Sequence, residues 1–134
     1  MATKFVLDTH ALIWYLEGSA RLSPSVKAIM DDPATAMILP AIALAEAVYI
    51  VDKGRTSISS SADLLRDVSA ENRIQVQPLT FEIIQESLSA GGVGEMHDRL
   101  IVSTAIHEQR LGNQVSLLTC DANITSSGLI STVW

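Results

Sequence analysis

The run Phe5-Val6-Leu7, followed at once by Asp8, narrows most what this chain can fold into. Three consecutive apolar residues read as a short buried strand. A periodic apolar segment starts immediately behind it. Leu12, Tyr15 and Leu16 can share one face of a helix over Thr9 to Glu17, which Gly18 is placed to stop. In open α/β sheets, ligands bind at the C-terminal ends of strands. Asp8 occupies that position, either as the helix N-cap or as part of a site.

The same strand-then-helix unit recurs along the chain. Ser23-Pro24 is an N-cap with proline at the first helical position, opening a helix that Asp32-Pro33 breaks after Asp31. Ala36 to Leu39 is a second strand. Pro40 then opens a long apolar helix, Ala41 to about Lys53, with Ala41, Leu44, Val48 and Val51 as its apolar stripe. A helix over Ala62 to Ala70 precedes a third strand, Ile74 to Val76, whose polar Gln75 and Gln77 suggest a sheet edge. Thr80 caps a helix from Phe81 to Ser89. Ala90 to Gly94 lacks the Lys-Ser or Lys-Thr of a phosphate-binding loop and reads as a flexible connector. A helix over Met96 to Arg110, a fourth strand over Val115 to Leu118, a short helix from Ala122 and a fifth strand over Ile130 to Val133 complete the pattern. Strands alternating with helices imply right-handed crossovers and a mostly parallel sheet with helices on both faces.

The 134 residues suit one domain spanning the chain. Apolar residues make up 48% and charged ones 18%, which argues against disorder and suggests that a partner covers part of the surface. A net charge of -6 disfavours nucleic acid unless the acids cluster and hold divalent metal. Cys120 is the single cysteine, so an intrachain disulfide is impossible and a reducing compartment is expected. The N-terminus has no apolar run of signal-peptide length, and no stretch approaches the roughly 20 apolar residues of a membrane span. The expectation is a cytoplasmic protein.

Two strands deliver an aspartate in the same way, Asp8 after Leu7 and Asp121 after Leu118-Thr119-Cys120. One such residue is well explained as a cap. Two at matching strand ends point to a shared site if the strands are neighbours. Glu46 lies in the second turn of the most apolar helix, where an unpartnered acid is unusual. Asp98 lies in the first turn of another helix, where the helix dipole or Arg99 offers a structural explanation. Carboxylates converging without a cation raise one another's pKa values. Oxygen donors with no Cys or His pair suit Mg²⁺ or Mn²⁺. Such a cluster performs metal-assisted phosphodiester hydrolysis without a covalent nucleophile. Thr9 and Thr119 flank the strand-end acids and can orient a carboxylate or act as caps.

The motifs Val6-Leu7-Asp8-Thr9-His10-Ala11, Ala43-Leu44-Ala45-Glu46, His97-Asp98-Arg99-Leu100-Ile101 and Leu118-Thr119-Cys120-Asp121 resemble, in order and spacing, a PIN domain of the VapC ribonuclease toxin type. The resemblance implies a Rossmann-like three-layer α/β/α sandwich and Mg²⁺- or Mn²⁺-dependent cleavage of RNA. It also implies a homodimer and inhibition by a cognate antitoxin. It places Asp8, Glu46, Asp98 and Asp121 at the acidic metal-site positions and Thr119 at the hydroxyl position. Three departures stand out. Asn123 replaces a frequent further acid, Pro40 and Ala43 replace hydroxyl residues, and the segment before Asp98 carries Glu95 and His97, either of which can supplement the site or face solvent. RNA contacts are poorly marked, because the nine basic residues are scattered and the densest pair, Lys53 and Arg55, reads as a solvated helix end. Trp14 and Tyr15 read as core or interface packing rather than base-stacking platforms. Two other readings remain open at this stage: a Mg-dependent phosphatase using Asp8, disfavoured because His10 stands where a second Asp is needed, and a non-catalytic binding module.

Overall fold

The computed structural model describes residues 2–134. Its five strands are β1 (Thr3–Leu7), β2 (Ala36–Pro40), β3 (Ile74–Gln77), β4 (Gln114–Leu118) and β5 (Thr132–Val133). They join in the order β3-β2-β1-β4-β5, and all four pairings are parallel. Seven α-helices flank them: α1 (Thr9–Glu17), α2 (Pro24–Asp31), α3 (Ala41–Asp52), α4 (Ser61–Ala70), α5 (Phe81–Glu86), α6 (Met96–Arg110) and α7 (Ala122–Ser127). This is an α/β sandwich on a wholly parallel sheet.

The central strands are apolar on both faces because helices cover both. Val6, Leu7, Leu117 and Leu118 are all fully buried. The polar β3 is an edge strand, as Gln75 and Gln77 suggest. From β1 the chain steps to β2 and β3 on one flank, then returns to place β4 on the other flank of β1. The strand order therefore reverses between β1 and β4, and a crevice opens beyond their C-terminal ends.

Several details differ from the sequence reading. On α3 the buried positions are Ala43, Ala47 and Val51; of the expected stripe Val51 is buried, while Ala41, Leu44 and Val48 are only half-buried. The small alanines let the helix lie close to its neighbours. The helix after Thr80 does not run unbroken to Ser89. It ends at Glu86 and tightens into a 3-10 turn over Ser87–Ser89. There the Ser87 and Ser89 hydroxyls donate to the carbonyls of Ile84 and Glu86 at 2.5 and 2.8 Å, competing with the α-helical ladder. The glycine-rich connector is anchored rather than loose. Ala90 and Val93 are buried, and Arg99 Nε donates to the Val93 carbonyl at 2.8 Å. No helix among the described residues is long and apolar enough to cross a membrane.

Candidate active site

β1 and β4 run in register with Leu7 level with Leu118, so the residues just beyond them, Asp8 and Thr119, face each other. The Asp8 amide closes the gap on the Leu118 carbonyl at 3.3 Å. Asp8 N-caps α1. Its Oδ1 accepts from the Thr9 amide at 2.7 Å, and its Oδ2 accepts from the Thr119 hydroxyl at 2.5 Å. The Thr119 oxygen in turn accepts from the Asp121 amide at 3.1 Å. Asp121 caps α7, its Oδ1 accepting from the Ile124 amide at 3.0 Å. Capping and convergence on one crevice are therefore compatible uses of both strand-end acids.

Glu46 comes from the second turn of α3 and is half-buried. Its Oε1 accepts from the Thr9 hydroxyl at 2.5 Å, and Thr9 itself is completely buried. Asp98 comes from the first turn of α6. Glu95 caps that helix, its Oε2 accepting from the Asp98 amide at 2.8 Å while His97 Nδ1 lies 2.6 Å from its Oε1. Asp8, Glu46, Asp98 and Asp121 line one cleft of about 270 Å³ with Glu95, His10, Thr119, Cys120 and Trp134. Asn123 is exposed in the first turn of α7 and does not line this cleft.

The charges in the cleft oppose one another. Burial raises the Asp8 carboxyl, against hydrogen bonds from Thr119 and Thr9. Burial, and then the charges of Asp121, Asp8, Glu95 and Glu46, push Asp98 up to about 6. Burial also works to raise Glu95, but the Asp98 amide and His97 hold its carboxyl below the usual range. Glu95 in return raises His97.

This donor set suits a hard cation. The four acids supply only oxygen, and the like charge around Asp98 is what a divalent ion relieves. Among the described residues, no three carboxylate, imidazole or thiol groups are gathered into a ready-made cage. The carboxylates of Asp8, Glu46 and Asp121 are instead each held by hydroxyl or amide donors, while that of Asp98 accepts none. Mg²⁺ keeps several waters and takes one or two carboxylates directly, so the open arrangement fits a hydrated ion. Glu95 has both oxygens engaged at the cap of α6, which makes it a supporting group rather than a free ligand.

His10, Cys120 and Trp134 line the cleft although nothing in the sequence marked them as part of it. His10 stands two residues after Asp8, in the first turn of α1, and its ring centroid is 5.3 Å from that of Trp14. Trp134 packs edge-on against Trp14 at 5.7 Å. Its position follows from β5 pairing with β4, which the strand order alone reveals.

A family model described as PIN domain matches residues 5–126. No curated protein matches the sequence. Among solved structures, VapBC2 from Rickettsia felis, bound to a DNA fragment from its promoter, aligns with a TM-score of 0.71 at 17% identity, covering 98% of this chain and 99% of that one. FitAcB from Neisseria gonorrhoeae aligns with a TM-score of 0.63 at 16% identity, covering 97% and 96%. FitAB bound to an IR36 DNA fragment aligns at 0.58 and 16%, covering 96% and 93%. At these identities the structures speak for the fold. The family model spans nearly the whole sheet and every acidic position of the cleft, and the chain belongs to the PIN domain family.

Proposed function

We propose that this chain is a Mg²⁺- or Mn²⁺-dependent endoribonuclease and the toxin of a type II toxin–antitoxin pair, folded as a single domain and acting in the cytoplasm. The observation that carries the reading is the convergence of Asp8, Glu46, Asp98 and Asp121, from four separate elements, on one cleft at the strand switch point. PIN domains are generally nucleases, and the motifs resemble the VapC type.

In this reading Asp8, Glu46, Asp98 and Asp121 would hold the ion. When bound, it activates water and offsets charge on the scissile phosphate. Thr119 and Thr9 fix the orientation of Asp8 and Glu46 through their hydroxyl donors. Asn123, exposed on α7, is at most an outer contact. A cognate antitoxin is the proposed protein partner. Phe81, Ile84 and Leu88 form an exposed apolar stripe that we assign to a homodimer. Ile84→Glu should then elute as a monomer in size-exclusion chromatography.

The deciding experiment is RNA cleavage with Mg²⁺ or Mn²⁺ added. Wild-type protein should cut, while Asp8→Asn and Asp98→Asn should lose cleavage and keep native circular dichroism. Wild-type protein that cuts no RNA at any metal concentration and gains no stability from metal would sink the reading.

A further inference from the structure

The seven glycines of the chain fall into two groups. Gly18, Gly54, Gly112 and Gly128 sit at positive φ, where a side chain is strained, so their turns require glycine. Gly91, Gly92 and Gly94 are different. Their φ is negative, and a Cβ placed on any of them meets no atom within 4 Å. Nothing in the folded conformation demands glycine at these three positions, yet each costs backbone entropy on folding. What glycine keeps there is the freedom to take a second conformation.

All three lie exposed in the segment that joins the 3-10 turn to α6. Among the described residues, none makes a backbone hydrogen bond to their amides or carbonyls. Val93 stands between them and is held far more firmly. It is buried in the core, its amide donates to the Ala90 carbonyl at 3.0 Å, and its carbonyl accepts from Arg99 Nε at 2.8 Å. Val93 is thus a latch between two hinges, Gly91-Gly92 before it and Gly94 after it. Glu95 follows directly, lining the acidic cleft and capping α6 by accepting from the Asp98 amide. Movement on these hinges therefore reshapes the cleft.

The cleft measures about 270 Å³, below the roughly 300–1,000 Å³ of pockets that take a whole small ligand. A segment of polynucleotide needs more room than that. We propose that residues 91–95 form a gate at the acidic cleft, closed in this structure with Val93 seated in the core. Opening withdraws Val93 and carries Glu95 away from the Asp98 amide, which widens the cleft. Closing restores the cap that fixes the first turn of α6, and with it Asp98. The motion follows from the chain's own backbone, and only what passes the gate rests on the ribonuclease reading.

The test begins with amide hydrogen exchange, read by NMR on the whole chain in EDTA. Three amides report the closed gate: Val93 on the Ala90 carbonyl, Asp98 on the Glu95 side chain and Arg99 on the Glu95 carbonyl. They should exchange together and about tenfold or more faster than the interior of α6, because a local opening needs no global unfolding. Exchange of all three as slow as that interior overturns the gate. Gly91→Ala, Gly92→Ala and Gly94→Ala together stiffen the hinges, and a melting temperature at or above wild type checks the fold. The triple variant should lower kcat for RNA cleavage about tenfold, and Gly92→Ala alone about twofold. Adding Val93→Ala to the triple variant weakens the latch and should return kcat toward wild type, a rescue that a purely structural Val93 cannot give. A folded triple variant with wild-type kcat, or one that Val93→Ala does not rescue, overturns the gate. Wild-type protein that exchanges the three amides together yet cuts no RNA supports the gate and overturns the ribonuclease reading. Wild-type protein that cuts RNA with those amides as protected as the α6 interior does the reverse.

Discussion

Asp98 experiences two costs in the folded protein, loss of water and the nearby charges of Asp121, Asp8, Glu95 and Glu46, and together they push its carboxyl up to about 6. The sign of the resulting pH dependence is the reverse of that of a salt-bridged acid. A folded-state pKa above the unfolded value gives stability that is full below about 3.8 and lost as pH rises through about 6. Asp8, also raised, acts in the same direction. His97, raised from 6.5 by Glu95, adds a loss above this range, as pH rises past 6.5. The surface acids Asp31, Asp63, Glu71 and Glu86 are lowered by their partners, so their contributions are lost only at more acidic pH. Ion-free protein should therefore become more stable between pH 7 and pH 5. Asp98→Asn should raise its melting temperature at pH 7.5 by roughly 2–4 °C and flatten that pH slope, as measured by thermal scans in EDTA. A variant that melts lower at pH 7.5 would mean that the nearby carboxylates do not strain the ion-free fold.

Two helices meet at the site through a single hydroxyl, that of buried Thr9 on α1, which donates to Glu46 on α3. Thr9→Val keeps the shape and removes the donor. It should cost about 1–3 kcal/mol in urea unfolding, while Thr9→Ser should cost much less. The α3 helix also shows why its packing face was misread. It is apolar almost all round, so periodicity could not choose which row leads to the buried Val51, the one through Leu44 and Val48 or the one through Ala43 and Ala47. The structure buries the small row because close helix packing favours short side chains. Ala47→Leu should therefore cost about 1–3 kcal/mol by overpacking, whereas Val48→Leu, on the half-buried row, should cost less. Strands and caps were legible for the opposite reason. Leu7-Asp8, Ser23-Pro24 and Thr80 are local signals whose chemistry does not depend on the rest of the chain. The acids could be read because strand-end position is local too. Glu95 escaped notice as the cap of α6, since a carboxylate before Met96 carries no distinctive signature.

At the scale of the whole molecule, a cleft lined by like charges couples ion binding to the stability of the entire fold. The four acids come from the end of β1, from α3, from α6 and from the segment after β4, so an ion held among them ties together distant parts of the chain. The unfolded chain does not gather these groups, and binding therefore favours the native state by mass action. At Mg²⁺ or Mn²⁺ about 100-fold above the dissociation constant, the gain is about 2.7 kcal/mol. For a chain of this size that corresponds to a rise in melting temperature of about 10 °C. Excess EDTA should reverse it. Asp98→Asn should start from a higher ion-free melting temperature yet lose most of the rise, so the two curves should cross as metal is added. Thermal scans across a metal titration at pH 7.5 read both effects at once. Parallel curves, with wild type and variant gaining equally, would place the ion away from Asp98 and leave its raised pKa as a property of burial alone. The crossing is the more telling result, because a residue that only caps α6 or packs against it has no reason to trade ion-free stability for metal-linked stability.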